Sequence, residues 1–152
     1  MREDSVDDTG GYSIVPSVKL VRRIGAVCLI MPSLDHLISP TLTMMFAPRI
    51  METMFGRGFI AAAVFFIVLG AFQLVWIRVL LKSRSPRLLT VGVLGNLVSI
   101  LIYFISVSGV MIFGVPPQPL LPFGVLIKAL EAVYVLASLY VLKALTAKRH
   151  RT

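Results

Sequence analysis

Charged side chains are scarce in this 152-residue chain, and their scarcity argues against a water-soluble fold. Only 14% of the residues are Asp, Glu, Lys or Arg, whereas a soluble domain carries about 25%. The formal net charge is nevertheless +8, and the cations stand between long apolar runs instead of forming one solvated basic face. The composition therefore predicts a protein of the lipid bilayer, with no nucleic-acid partner.

The chain also has few of the residues and motifs from which active sites and metal sites are built. Its one cysteine, Cys28, has no partner for an intrachain disulfide and no zinc-site spacing. Of the two histidines, His150 lies in the basic tail, so a bis-histidine haem is not expected. HExxH, GxSxG and Walker motifs are absent. The sequence thus favours a protein without enzyme activity and without a resident cofactor.

Long apolar runs are what the sequence does contain. A helix needs about 20 apolar residues to cross a hydrocarbon core of about 30 Å. Four segments meet this requirement, and they predict an all-α integral membrane four-helix bundle. The first span is expected to end near Ser39, because a proline at position 40 disfavours helix in the residue before it. The predicted spans are about 22–39, 59–81, 88–113 and 123–145.

Lysine and arginine indicate how the four spans are oriented. Three basic clusters flank the bundle on one side, whereas the loops on the other side hold only Arg49 and Arg57. The positive-inside rule then places both termini in the cytoplasm of a multi-pass cell-membrane protein. Residues 1–17 become a polar cytoplasmic tail, 18–147 the transmembrane domain and 148–152 a basic cytoplasmic tail. The clusters are Lys19, Arg22 and Arg23; Lys82, Arg84 and Arg87; and Lys148, Arg149 and Arg151.

The loop after the first span has its own periodicity. Apolar residues recur at helical spacing in TLTMMFAPRIMETMFGR, with Arg49, Glu52 and Thr53 on the opposite face. This pattern predicts a short amphipathic helix at the outer interface. Its apolar residues are Ala47, Ile50, Met51, Met54 and Phe55.

Small and polar residues recur every three or four positions within the spans. Such a stripe marks the face that a helix turns towards its neighbours in lipid. Two interpretations stay open for the polar members, which are either packing contacts or the wall of a cavity. The candidate cavity-lining residues are Gln73, Asn96, Ser99, Tyr103 and Ser106.

Four ionisable residues lie within the predicted spans at matching depth. Counting about 1.5 Å per residue from opposite edges of the membrane places Asp35 and Glu131 at one level. His36 adjoins Asp35, and Lys128 lies one turn from Glu131. We expect these four side chains to form one polar cluster in the outer half of the bundle. It serves either as an ion-paired network that fixes helix register or as an outward-facing site for a proton, metal or small polar ligand.

A metal or haem site is an alternative interpretation of the same region. Soft thioether sulfurs suit Cu(I), and methionines follow His36 closely in the sequence. The competing interpretation is that these methionines are flexible apolar filler at an interface. The candidate ligands for copper or haem are His36, Met44, Met45, Met51 and Met54.

Six short segments occur in a recognisable order. They are DHL, GFIAAAVFFIVLGAFQL, SRSPRLL, GNLVSILIYFIS, GVPPQP and FGVLIKALEAVYVL. This order resembles a widespread group of small four-span bacterial and archaeal membrane proteins, over roughly residues 20 to 145. The resemblance points to His36, Gln73, Asn96 and Glu131 as positions to test, and implies no activity. Asp35 and the methionine-rich loop depart from the pattern.

Small size and the lack of catalytic motifs favour one function class over two others. The leading expectation is a non-enzymatic accessory or structural subunit of a membrane complex, whose partners are the lipid bilayer and other membrane subunits or a second copy. The first alternative is a small transporter or ligand-binding protein that uses the outward-facing polar cluster. The second is a membrane copper or haem protein.

Overall fold

The protein is a bundle of four α-helices. The computed structural model describes residues 17–46, 49, 53, 58–112 and 120–149. The regular elements within these residues are α1 (Val18–Phe46), α2 (Gly58–Lys82), α3 (Pro86–Val107) and α4 (Pro122–Arg149). The prediction of an all-α four-helix fold is confirmed. By length and composition, all four helices qualify as membrane spans.

Parts of the sequence prediction lie outside the described residues. Of the predicted interfacial helix only Arg49 and Thr53 are described between residues 46 and 58. Met51 and Met54 are therefore not placed, and neither are the first 16 residues or the last three. The interfacial helix accordingly stays a prediction.

Helix α1 runs through Pro40 and ends at Phe46, so the expected end near Ser39 is wrong. A proline lacks the backbone N–H that would bond the carbonyl four residues earlier. Hydroxyl groups close to both helical prolines bond backbone carbonyls within α1, as Ser33 Oγ does to the Leu29 oxygen and Thr41 Oγ1 to the Leu37 oxygen. These bonds reach the carbonyls next to those of Cys28 and His36, which the prolines leave without their usual N–H partner, so they do not replace the missing bonds. Proline is tolerated inside membrane-spanning helices, and an end at Ser39 does not follow from Pro40 alone.

Helix α3 ends at Val107, before the end predicted at residue 113. The Ser108 N–H bonds the carbonyls of Phe104 and Ile105. Gly109 follows with φ of 100°, a left-handed conformation that glycine adopts without steric cost. The helix is therefore terminated by a glycine turn, although the sequence stays apolar beyond it.

The four helices alternate in direction around the bundle. Helix α1 packs extensively against both α2 and α4, and α3 packs mainly on α4. Among the four adjacent helix pairs, α2 and α3 are packed least closely. The start of α1 contacts the later parts of α2 and α4, because Gly25 lies against Leu80 of α2 and Ala137 of α4. Residues nearer the C-terminal end of α1 contact earlier parts of both helices. This is the up-down-up-down arrangement that short connections favour.

Glycines allow α1 to approach its neighbours closely. A Cβ on Gly70 of α2 would lie 2.8 Å from the Ser33 carbonyl oxygen and 2.9 Å from Leu37 Cγ of α1. A Cβ on Gly25 would lie 2.6 Å from Ala137 Cβ of α4. Small residues at helix crossings are the usual means of tight packing in lipid, and they set the spacing of the polar groups described below.

The bundle interior has two layers. Towards the basic end it is filled by apolar side chains and one tyrosine, which we call the apolar layer: Leu29, Leu80, Leu89, Val93, Tyr134, Val135 and Val141. Towards the other end it is polar. The outer faces expose many large apolar side chains on every helix, such as Val27, Phe72, Leu101 and Leu136. A soluble monomer seldom exposes continuous apolar surface of this kind, whereas lipid accommodates it.

The crossing at Gly70 gives a direct test of the packing. We expect Gly70→Ala to destabilise the bundle by about 1–3 kcal/mol, because the added methyl group meets α1 backbone. The matched control is Gly95→Ala, where the new Cβ meets only Trp76 Nε1 at 3.9 Å; this change should be neutral or stabilising by up to about 1 kcal/mol. Unfolding by sodium dodecyl sulfate in mixed micelles measures the stability of both variants. Equal stability of Gly70→Ala and Gly95→Ala would show that α1 and α2 do not cross closely at Gly70.

Candidate functional site

All four helices contribute polar side chains to one buried cluster, which we call the polar cluster. Helix α1 supplies one residue, α2 one, α3 two and α4 two, and each is at most 6% exposed. Uncompensated polar groups at such depth cost several kcal/mol each, so their hydrogen bonds decide whether the bundle is stable. The members are His36, Gln73, Asn96, Ser99, Lys128 and Glu131.

The carboxylate of Glu131 is the centre of the cluster. Its Oε1 lies 2.9 Å from His36 Nε2, 3.0 Å from Lys128 Nζ, 3.1 Å from Gln73 Nε2 and 3.2 Å from Ser99 Oγ. Its Oε2 accepts a further bond from Lys128 Nζ at 3.1 Å. An ionised carboxylate accepts on both oxygens, whereas a protonated one must donate at one of them. The donors around it therefore match the charged form.

Lys128 balances that charge and has few remaining bonds to offer. Its ammonium group donates to Ser99 Oγ at 2.8 Å as well as to both oxygens of Glu131. The ring of Tyr103 lies 5.9 Å from Nζ, within the range of a cation–π contact. Lys128 and Glu131 are three residues apart on α4. Their ion pair can therefore form within this one helix, before the helix packs against the others.

Amide side chains extend the cluster towards α2 and α3. Gln73 Nε2 donates to Asn96 Oδ1 at 3.0 Å as well as to Glu131. Asn96 Nδ2 donates in turn to the backbone oxygen of Gly92 at 2.9 Å. These bonds tie α2 and α3 together at the level of Glu131, where the two helices otherwise have little contact.

The hydrogen bonds around His36 fix the tautomer of its ring. Because Nε2 lies 2.9 Å from a carboxylate oxygen, that nitrogen carries the proton and donates it to Glu131. In a neutral imidazole Nδ1 is then an acceptor. Lys128 Nζ lies 3.3 Å from Nε2 of His36. Both nitrogens are donors in this tautomer, so they form no hydrogen bond with each other. The ring packs on Phe66, with centroids 5.2 Å apart.

Asp35 lies at the edge of the polar cluster. Its side chain is 25% exposed, and its Oδ1 accepts a hydrogen bond from Ser39 Oγ at 2.8 Å. Its Oδ2 lies 3.8 Å from His36 Nδ1, too far for a direct hydrogen bond. The four ionisable residues singled out in the sequence thus divide into a buried group of three and one peripheral carboxylate.

A cleft of about 290 Å³ opens beside the cluster, at the end of the bundle away from the basic residues. All four helices line it. Tyr103 and Ser106 line it, whereas Gln73, Asn96 and Ser99 are fully buried beside Glu131 and do not. The lining residues are Asp35, His36, Ser39, Pro40, Ala62, Phe66, Ile102, Tyr103, Ser106, Ile112, Gly124, Ile127 and Lys128.

Sequence reasoning did not find the α2 wall of the cleft or the glycine behind Tyr103. Ala62 and Phe66 belong to an apolar run without any polar marker. A Cβ on Gly124 would lie 2.8 Å from the Tyr103 hydroxyl oxygen, so the missing side chain makes room for the ring. That hydroxyl is buried and has no hydrogen-bond partner among the described residues.

The structure describes three of the five candidate copper or haem ligands and does not bring these three together. Met44 follows His36 on the same helix by eight residues, which is about 12 Å along the axis and too far for both to bind one metal. Met45 is 68% exposed on the outer face, and Met51 and Met54 lie outside the described residues. Among the residues with assigned positions, no three His, Cys, Asp or Glu side chains are arranged to hold a metal ion.

The ion pair in the polar cluster can be tested by removing each partner. We expect Glu131→Gln to destabilise the bundle by about 3–5 kcal/mol, because it leaves the Lys128 charge buried and unpaired. Lys128→Met should have a similar cost, and the double variant should lose far less than the sum. Unfolding in mixed micelles gives the coupling energy.

The control for this cycle is Lys143→Met, an exposed lysine on the same helix. Its combination with Glu131→Gln should be additive within about 0.5 kcal/mol. Additive effects for the Lys128 pair as well would show that the two charges do not stabilise each other.

Comparison with known proteins adds no family name to this geometry. No protein-family model matches the chain, and neither the curated proteins nor the solved structures gave a significant match. The resemblance to small four-span membrane proteins stays a prediction.

Proposed function

We propose that the protein is a multi-pass cell-membrane protein that binds a small organic cation in the cleft. The ligand class is an amine with an apolar body. The observation that carries the proposal is a pair of acceptor atoms, Asp35 Oδ2 and His36 Nδ1, which lie 3.8 Å apart and belong to residues that line the cleft.

Two acceptors at this separation call for a donor between them. In the neutral form of His36 with its proton on Nε2, neither atom can donate, so two acceptors face each other across this gap. An ammonium group offers three N–H donors, and its nitrogen can sit about 2.9 Å from both atoms at once. The two acceptors are therefore spaced so that one ammonium nitrogen can hydrogen-bond to both of them.

The net charge of the site favours the same ligand. Asp35 and Glu131 carry two negative charges and Lys128 carries one positive charge, so with a neutral His36 the sum is −1. An anionic ligand would have to draw on Lys128, whose ammonium is already bonded to Glu131 and Ser99. A cation meets the excess charge at Asp35 without breaking that pair.

The walls of the cleft suit an apolar body of one ring. Ala62, Ile102 and Ile127 provide aliphatic surface, and Phe66 and Tyr103 provide aromatic rings that attract a nearby ammonium group. A cavity of about 290 Å³ lies at the small end of the usual range for ligand pockets. A single aromatic ring with a short amine side chain matches this size.

The test uses three probes of nearly equal size that differ in charge. We expect 2-phenylethylamine to raise the thermal unfolding midpoint of the protein in lipid nanodiscs, because only its ammonium group bridges Asp35 and His36. The neutral 2-phenylethanol and the anionic phenylacetate should leave the midpoint unchanged. Stabilisation by phenylacetate, or by none of the three probes, would contradict the proposal.

Paired variants separate binding in the cleft from partition into the lipid. Asp35→Asn should abolish the amine effect while the protein stays folded, because Asp35 is peripheral. Ala62→Leu narrows the cleft and should weaken the effect, whereas Ala61→Leu changes the exposed neighbouring residue and should not. An unchanged response in Asp35→Asn and Ala62→Leu would refute a site in the cleft.

The proposed orientation places the cleft on the outer side of the membrane. Its support is the charge distribution, since the turn between α2 and α3 and the start of α1 are basic. The cleft opens at the opposite end of the bundle. Both termini are then cytoplasmic.

Single cysteines test this orientation in a Cys28→Ser background. A membrane-impermeant maleimide should label Ser108→Cys, beyond the end of α3, in intact cells. It should label Ser83→Cys, in the α2–α3 turn, only after the cells are permeabilised. The reverse pattern would place the cleft in the cytoplasmic half.

An accessory subunit is the weaker proposal for this protein. The apolar outer faces of the helices suit lipid and protein neighbours equally, so they do not favour a protein partner. The buried charges and the adjoining cleft are features that a purely structural subunit does not require.

A further inference from the structure

We infer that the basic end of the bundle binds a phosphate group, in a second pocket that is independent of the cleft. This basic pocket has a volume of about 410 Å³ and lies where the start of α1 meets the end of α2. Four of its six lining residues are cationic and none is acidic. They are Val18, Lys19, Arg22, Leu81, Lys82 and Arg84.

Arg22 gives the pocket a positioned cation. Its Nη1 donates to the carbonyl oxygens of Leu80 at 2.6 Å and Ser83 at 2.9 Å, groups that are otherwise unsatisfied where α2 ends. A guanidinium group has five N–H donors in one plane, so three remain for a ligand after these two bonds. These two bonds already hold the Arg22 side chain in place, so ligand binding does not have to order it.

The other cations of the pocket have no acidic partner among the described residues. Within those residues the carboxylates are Asp35 and Glu131, and both lie in the opposite half of the bundle. Lys19, Lys82 and Arg84 are exposed and line the pocket with Arg22, from two chain segments. Their mutual repulsion favours an anion that all four can share.

The chemistry of the donors points to phosphate. Arginine binds phosphate oxygens through its planar fork, and lysines add point charges around it. The apolar side chains of Val18 and Leu81 complete the lining. They would contact the glycerol backbone and upper acyl chain of a phospholipid, and basic pockets at the cytoplasmic ends of spans are known to bind such headgroups. Free phosphate would use only the cations.

The test compares two triple variants that remove the same charge from the same end of the bundle. The pocket variant is Lys19→Gln/Lys82→Gln/Arg84→Gln. The control variant is Arg23→Gln/Arg87→Gln/Lys143→Gln, whose exposed side chains do not line the pocket. Arg22 is left in place in both, because it also bonds the end of α2.

Native mass spectrometry of protein from phosphatidylglycerol-containing nanodiscs then counts retained lipid. The wild type and the control variant should each retain one phosphatidylglycerol, and the pocket variant should bind it about a hundredfold more weakly, since each of its three missing cations contributes about a factor of five near a membrane surface. Equal retention by the two triple variants would show non-specific attraction and overturn the site.

A second arm distinguishes the source of the phosphate. In phosphatidylcholine nanodiscs, inorganic phosphate is titrated while the thermal unfolding midpoint is followed. A rise that the pocket variant loses and the control keeps identifies a site for free phosphate. Lipid retention without such a rise identifies a phospholipid site. If neither probe distinguishes the two variants, the basic pocket binds no phosphate group.

Discussion

The burial of one carboxylate, that of Glu131, is the constraint on which the rest of the structure depends. A charge in the interior of an apolar bundle is tolerated only if donors surround it. Here the donors come from α1, α2 and α3 as well as from Lys128 on α4 itself. Each helix is thereby held at a fixed height and rotation, because a shift by one residue would withdraw a donor from Glu131.

The same constraint explains why Asp35 differs from Glu131. The donors that converge on the buried carboxylate include the Nε2 proton of His36, so the opposite ring nitrogen is left as an acceptor next to Asp35. One carboxylate is surrounded by donors within the bundle, and the other lines the cleft with Ser39 as its hydrogen-bond donor. The chemistry proposed for the cleft follows from this asymmetry between two acids that look equivalent in the sequence.

Much of the fold could be predicted from the sequence, because lipid imposes simple rules on length and charge. Four span-length helices and the shared level of His36 and Glu131 followed from apolar runs and the helical rise. The end of α1 did not, because a proline inside a membrane-spanning helix does not have to end it, and α1 continues past Pro40 to Phe46. The stripe containing Asn96 and Ser99 indicated an interior face, but not that Glu131 would engage it. Ala62, Phe66 and Gly124 carry no polar signature, so the cleft that they shape had no signal in the sequence.

The apolar layer beneath the polar cluster closes the bundle across its whole section. Leu29, Leu80, Leu89 and Tyr134 are fully buried there, and no described cavity reaches through them from the cleft. A ligand that enters therefore leaves by the way it came, unless the helices separate and expose this layer to water. For the cation proposed above, the cleft is thus open on one side only in the conformation described, because the buried apolar layer separates it from the basic end of the bundle.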